Sequence, residues 1–160
     1  MSQTLTHLNE KGEAHIVDIG GKAITARRAV ARARIEAKPE TVEAIAGGTL
    51  KKGDALAVAR IAGIMAAKRT SDLIPLCHPI ALNKVEVEIV VEDGRLVITA
   101  TAETSDRTGV EMEAMTAASV AALTLYDMAK GIDRGMRISS VELVEKSGGK
   151  SGHYLREPTT

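Results

Sequence analysis

The hydrophobic periods along this chain predict an α+β fold, an antiparallel sheet with helices packed on one face. Three observations carry that prediction. Two-residue alternation recurs in four separate stretches. Asp93-Gly94 joins the second and third of them as a tight hairpin. Alanine-rich helical segments fill the gaps before the second stretch and before the fourth. The order is strand, helix in two pieces, strand, strand, helix, strand. It is the split βαβ of a ferredoxin-like βαββαβ sheet.

The first strand is expected over Ile24 to Ala37, with Arg28, Val30, Arg32, Arg34 and Glu36 on one side and Ala29, Ala31, Ala33 and Ile35 on the other. Before it, Ala14 to Ile19 reads as a short strand or an ordered arm. Pro39 opens a short helix that Gly47-Gly48 ends. Asp54 is an N-cap for a second helix, Ala55 to Lys68. Ser71 to Pro79 is a loop stiffened by Pro75 and Pro79. Leu82 to Val91 and Arg95 to Thr104 form the hairpin strands, and Met136 to Glu145 closes the sheet.

The longest helical pattern runs from Thr108 to Lys130. Thr108 and Glu111 have capping-box spacing, and Gly131 follows as a stop. Its apolar residues do not keep to one stripe, which predicts burial on more than one side. The sheet's outer face is expected to be rich in Ala and Val, and with the alanine-rich helices this predicts a homo-oligomer. Residues 1–160 read as a single domain, with 1–12 and 153–160 as flexible tails.

Charge is balanced, with 21 basic and 21 acidic residues, which argues against a nucleic-acid or membrane-surface protein. Two Tyr and no Phe or Trp leave no base-stacking platform. One Cys excludes an internal disulfide and suits a reducing compartment. No leader-like or membrane-length apolar run occurs, so the expected location is cytoplasmic.

Several residues are candidates for chemistry. Lys52 precedes a helix N-terminus, either as a flexible surface lysine or as part of an anion pocket with free backbone N–H groups. Cys77-His78 lies between two prolines. The pair lacks zinc-ligand spacing, so no metal site is expected. His78 is either an imidazole presented by a rigid loop or a loop histidine bonded to backbone. Lys146 to Gly152, KSGGKSG, fails the Walker A pattern because Val144 stands where the first Gly must be. It reads as a basic lid over an anion or as a loose tail.

Glu113, Asp127 and Lys130 are charges on a helix that is otherwise buried, so they must be paired or used. Asp127 and Lys130 make either a surface ion pair or an acid–base pair. Helix dipole and burial would raise the Asp127 pKa, and Lys130 would lower it. Glu113 and Asp127 are fourteen residues apart, which is ~21 Å along a helix at 1.5 Å per residue. One compact ligand cannot touch both on one helix, unless it is long or the site draws on two subunits.

Taken together, KGD (52–54), ARIAG (59–63), DLIPLCHP (72–79), TGVEMEA (108–114), YDM (126–128) and KSGGKSG (146–152) resemble the cyclic pyranopterin monophosphate synthase family, from about Thr6 to Gly152. The resemblance implies a ferredoxin-like lyase of molybdenum cofactor biosynthesis. Such an enzyme converts 3′,8-cyclo-7,8-dihydroguanosine 5′-triphosphate, supplied by a radical GTP cyclase, to cyclic pyranopterin monophosphate and pyrophosphate. It also implies a hexamer, a trimer of dimers with sites at subunit interfaces, and no redox cofactor. By position, Asp127, Lys52 and Lys130 match the family's catalytic residues. Leu76, Cys77, His78, Met112 and Glu113 match its substrate contacts, and Lys68, Lys146, Lys150, Arg27 and Asp18 match further pocket positions.

Overall fold

The computed structural model describes residues 6–158. Strand β1 spans Thr25–Glu36, helix α1 Pro39–Gly47, α2 Ala55–Lys68 and the single turn α3 Thr70–Leu73. Strands β2 (Lys84–Glu92) and β3 (Arg95–Asp106) follow, then α4 (Glu111–Ala129), β4 (Arg137–Ser147) and the short β5 (Tyr154–Leu155). The sheet order is β2-β3-β1-β4-β5, every neighbouring pair antiparallel. Its first four strands are the expected ferredoxin-like arrangement.

Local chemistry explains the element boundaries. Pro39 sits in the first turn of α1, and Gly48 ends that helix at φ 69°, in the left-handed region. Asp54 accepts the Ala57 N–H as N-cap of α2. Asp93 and Gly94 both take positive φ, 52° and 74°, as a type I′ hairpin turn requires.

The inner face of β1 is Ala29, Ala31, Ala33 and Ile35, all fully buried under the helices. Helix α4 packs on the sheet beside α2, which itself reaches β2 at Val87, and Ala114, Ala117, Ala118, Ala121, Ala122 and Leu125 of α4 are completely buried. The sheet and α2 therefore cover it on two sides, as its unstriped pattern predicts. The third side is open, where Leu123 is 59% exposed. Helix α2 comes close enough that a Cβ on Gly63 would stand 2.9 Å from the Ala117 carbonyl and 3.3 Å from the Ala121 Cβ.

Four expectations need correction. Thr108 does not cap α4: the helix begins at Glu111 after Val110, without a side-chain cap. The Glu111 carboxylate turns instead to Lys146, 2.7 Å away. Gly131 does not take a left-handed conformation. The chain leaves α4 through a turn in which the Ile132 and Asp133 N–H groups both reach the Ala129 carbonyl. The outer sheet face is not mainly alanine and valine, because Ala29, Ala31, Ala33, Ala100 and Ala102 point inward, and only Ala26 and a few valines such as Val30 and Val97 lie on it. It carries a lattice of ion pairs, Arg34–Glu142 at 2.8 Å and Arg28–Glu145 at 3.2 Å among them. Finally, Ser71–Leu73 belongs to the turn of α3 rather than to the loop.

The terminal segments also hold structure. Leu8 and Ala14 form a bridge around an Asn9-centred turn, and β5 pairs with β4. Residues 14–19 form an arm without regular strand pairing beyond that bridge. Residues 1–5 and 159–160 of the expected tails lie outside the described residues.

Substituting Gly63→Ala should destabilise the fold by about 1–3 kcal/mol, because the new methyl meets helix backbone that cannot swing aside. Urea unfolding monitored by circular dichroism would measure it.

Candidate active site

The two ends of α4 form two chemically different places. At the C-terminal end, the Lys130 Nζ lies 2.8 Å from Asp127 Oδ1. From the other side, Lys52 donates to the Asp127 backbone carbonyl at 3.0 Å and approaches Oδ2 at 3.4 Å. Lys52 and Asp127 are 75 residues apart in sequence. The turn between α1 and α2 carries Lys52 to this spot, with the Gly53 N–H bonded to the Leu50 carbonyl and Asp54 opening α2 directly after it.

The expectation that burial would raise the Asp127 pKa is not met, since the side chain is more than half exposed. The Lys130 hydrogen bond and charge, with those of Lys52, hold its carboxyl below the usual range, and Asp127 in turn raises Lys130. The carboxylate is therefore ionised at neutral pH and bracketed by two lysine side chains.

At the N-terminal end of α4 a cavity of about 520 Å3 is lined by Leu76, Cys77, His78, Met112 and Glu113, together with Ile74, Val17, Ile19 and Lys22. The proline-bounded loop supplies one wall, the first turn of α4 another, and the N-terminal arm a third. The backbone-bonded reading of His78 matches its geometry. Its Nε2 bonds the Val17 carbonyl at 2.8 Å, which ties the arm down, and its ring faces the cavity. Burial, with Glu113 nearby, pushes the Cys77 thiol up, so the residue is a poor nucleophile here. Glu113 is only 4% exposed, and burial pushes its carboxyl up to about 7, with Glu111 adding repulsion.

A second cavity of about 500 Å3 adjoins the first, the two sharing Lys22, Thr108, Gly109 and Glu111. Arg27, Lys146, Gly149 and Lys150 line it. In the stretch 146–152, packing accounts for the first two glycines. Gly148 and Gly149 have positive φ, 92° and 80°, and side chains there would collide with the Ala26 carbonyl and the Arg27 guanidinium. Arg27 in turn donates to the carbonyls of Asp106 at 3.1 Å and Arg107 at 3.3 Å, fixing the approach to α4.

The structure thus brings together Lys52, Asp127 and Lys130 at one end, and Leu76, Cys77, His78, Met112, Glu113, Arg27, Lys146 and Lys150 at the other. It does not bring in two expected residues. Lys68 is exposed at the end of α2, and Asp18 is exposed and accepts the Gly20 N–H at 2.8 Å; neither lines these cavities. Sequence reasoning missed Lys22 and assigned Glu111 only to capping. The adjacent Gly20-Gly21 turn was a weak signal for Lys22. Among the described residues no cluster of His, Cys, Asp and Glu has the makings of a metal site. A cleft of about 680 Å3 on the outer sheet face, lined by Arg32, Arg34, Arg95, Arg156 and paired glutamates, contains none of the expected residues.

The titration of Glu113 has a stability consequence. A carboxyl with its folded-state pKa raised from 4.5 to about 7 binds its proton more tightly in the folded protein. Stability from this group is therefore full below about 4.5 and falls as pH rises through 7, by roughly 3 kcal/mol at most. Glu113→Gln should flatten that part of the stability–pH curve, measured by denaturant midpoints between pH 4.5 and 8.

The MoaC family model matches residues 16–149, which span both ends of α4 and the loops that face them. A curated relative from Thermomicrobium roseum, a cyclic pyranopterin monophosphate synthase, is 57% identical over 155 residues, covering 96% of this chain and 93% of its own length. One of the same name from Parvibaculum lavamentivorans is 56% identical, covering 96% of this chain and 97% of its own length. With identity of that order over nearly the whole of both chains, this chain belongs to the MoaC family.

Proposed function

We propose that this chain is a cyclic pyranopterin monophosphate synthase, converting 3′,8-cyclo-7,8-dihydroguanosine 5′-triphosphate to cyclic pyranopterin monophosphate with release of pyrophosphate. The reaction serves molybdenum cofactor biosynthesis, and a radical GTP cyclase supplies the substrate. The observation that carries the reading is the Lys52–Asp127–Lys130 cluster, assembled from two distant parts of the chain in a chain of this family.

The chemistry calls for such a group. Recasting a purine into a pterin opens one ring and closes another, and each step moves protons to or from nitrogen and oxygen. An ionised Asp127 is a base at neutral pH, and the flanking ammonium groups are acids within 2.8 to 3.4 Å of it. Closing the cyclic phosphate expels pyrophosphate, whose growing charge needs fixed cations. Lys146, Lys150, Lys22 and Arg27 line the cavity that meets this need. Leu76, Met112 and Cys77 offer an apolar wall for the ring system. Glu113 is partly protonated near neutrality, so it can donate or accept a hydrogen bond to a guanine-like edge. Through the Val17 carbonyl, His78 holds the arm that closes this side.

The cluster and the cavity sit ~21 Å apart along α4, so a single chain does not complete the site. We assign the missing half to a neighbouring copy. Val58, Ile61 and Met65 on α2, and Leu123 on α4, are exposed apolar side chains suited to such a contact. The assembly is a hexamer, a trimer of dimers with sites at its interfaces, located in the cytoplasm and using no redox cofactor or metal of its own.

Purified protein incubated with the cyclised nucleotide should yield the cyclic pterin monophosphate and pyrophosphate, detected by mass spectrometry. Asp127→Asn and Lys52→Ala should each lower turnover by roughly 100- to 10,000-fold while the fold is retained. Near-parental conversion by both variants would refute the assignment.

A further inference from the structure

Asp133 is the most deeply buried aspartate among the described residues, 4% exposed, and lies outside the Lys52–Asp127–Lys130 cluster and both cavities at the start of α4. It lies in the turn that leaves α4, six residues beyond Asp127 and three beyond Lys130. Its carboxylate is fully occupied. Oδ2 accepts the Lys38 N–H at 3.1 Å and the Thr41 hydroxyl at 3.0 Å, and Oδ1 accepts the Gly135 N–H at 3.0 Å. Those donors, with the charge of Lys38, hold the carboxyl below its usual range against the cost of burial.

The partners matter more than their number. Helix α1 has no N-cap of its own, because Lys38 precedes it without a side-chain hydrogen bond. Asp133 supplies the cap from 95 residues away, taking the first backbone N–H of the helix approach and the Thr41 side chain together. Helix α1 then leads through Gly48 and Leu50 to Lys52. On the other side, Asp133 belongs to the turn that bears Lys130. Its own N–H is bonded to the Ala129 carbonyl, and the Tyr126 hydroxyl donates to the Arg134 carbonyl over the same turn. Asp133 is therefore, among the described residues, the buried carboxylate bonded both to the element that delivers Lys52 and within the turn that follows Lys130.

We infer that Asp133 is a positioning residue that sets the spacing of Lys52 and Lys130 about Asp127, by locking the start of α1 to the end of α4. The inference rests on the reading of that cluster as the catalytic group. The charged groups at Asp127 are Lys130 on its own helix end and Lys52 from the α1–α2 turn, with Tyr126 adjoining Lys130. If the two elements part, Asp127 loses its contact with Lys52 first, since Lys52 comes from the other element while Lys130 follows on the same helix end.

The test is a matched set of variants assayed with the cyclised nucleotide, with the Asp127 carboxyl titrated by 13C NMR. Asp133→Asn keeps the shape but turns an N–H pair or a single acceptor toward two donors. It should lower kcat by roughly 10- to 100-fold, as a small misplacement of catalytic groups does, with KM within about threefold of the parent. The Asp127 titration should move up toward the ordinary carboxylate range. Thr41→Val removes one of the hydrogen bonds and should move both readouts in the same direction by less. Ile98→Ala, a core truncation on β3, should lower the melting temperature without shifting the Asp127 titration. A folded Asp133→Asn protein with parental kcat and a parental Asp127 titration would overturn the inference. If Asp133→Asn does not fold, unchanged readouts in Thr41→Val would overturn it. Parental turnover in Asp127→Asn would instead remove the catalytic reading of the cluster. The NMR titration would still report whether Asp133 places the lysines.

Discussion

Everything in this structure depends on how closely α4 is held against the sheet and α2. The seam is built of the smallest side chains: Ala114, Ala117, Ala118, Ala121 and Ala122 on α4, and Gly63 opposite Ala117 and Ala121 on α2. Small residues bring backbones together and leave little freedom for the helix to slide or turn. An α4 fixed in this way has two ends with fixed surroundings. Each end meets a different set of loops, and each loop is itself pinned: Asp54 caps α2 just after Lys52, and His78 is bonded to the Val17 carbonyl.

The two ends differ in electrostatics as sharply as in shape. Glu111 and Glu113 share the first turn, yet only one is paired. Glu111 reaches Lys146, while Glu113 faces an apolar wall and holds its proton to about 7. At the far end Asp127 is open to solvent and kept ionised by two lysines. One helix therefore presents a carboxyl that can be neutral and a carboxylate that stays charged, the separation of roles that acid–base enzymes arrange by environment rather than by residue type.

Much of the fold was legible because its determinants are local. The Asp93-Gly94 turn, the Pro39 start, the Asp54 cap and the alternation of Ala29 to Ile35 each lie within a few residues of what they specify. Readings failed where a distant partner competed. Thr108 and Glu111 have capping spacing, but Lys146 captures the carboxylate from β4. The outer sheet face was expected to be rich in alanine and valine although Arg28, Arg32 and Arg34 alternate along β1, and only the register shows Glu145 and Glu142 beside Arg28 and Arg34. For the site, charge on a helix marked Glu113, Asp127 and Lys130 as needing an explanation, whereas the contact of Lys52 with Asp127 and the cap from Asp133 to Lys38 span 75 and 95 residues and left no local trace. KSGGKSG was read as a lid or a loose tail, and the structure shows Gly148 and Gly149 packed against Ala26 and Arg27.

The central claim is that one complete site takes the Asp127 end of α4 from one subunit and the Glu113 end from another. Co-expressing Asp127→Asn and Glu113→Gln chains with different affinity tags, and isolating the mixed assemblies, tests it most directly. Each variant alone should be nearly inactive. The mixed assemblies should recover roughly a quarter of parental turnover if subunits pair at random, since some interfaces then combine two intact halves. Mixed assemblies as inactive as either variant would contradict the account, because a site built within a single chain cannot be restored by its neighbour.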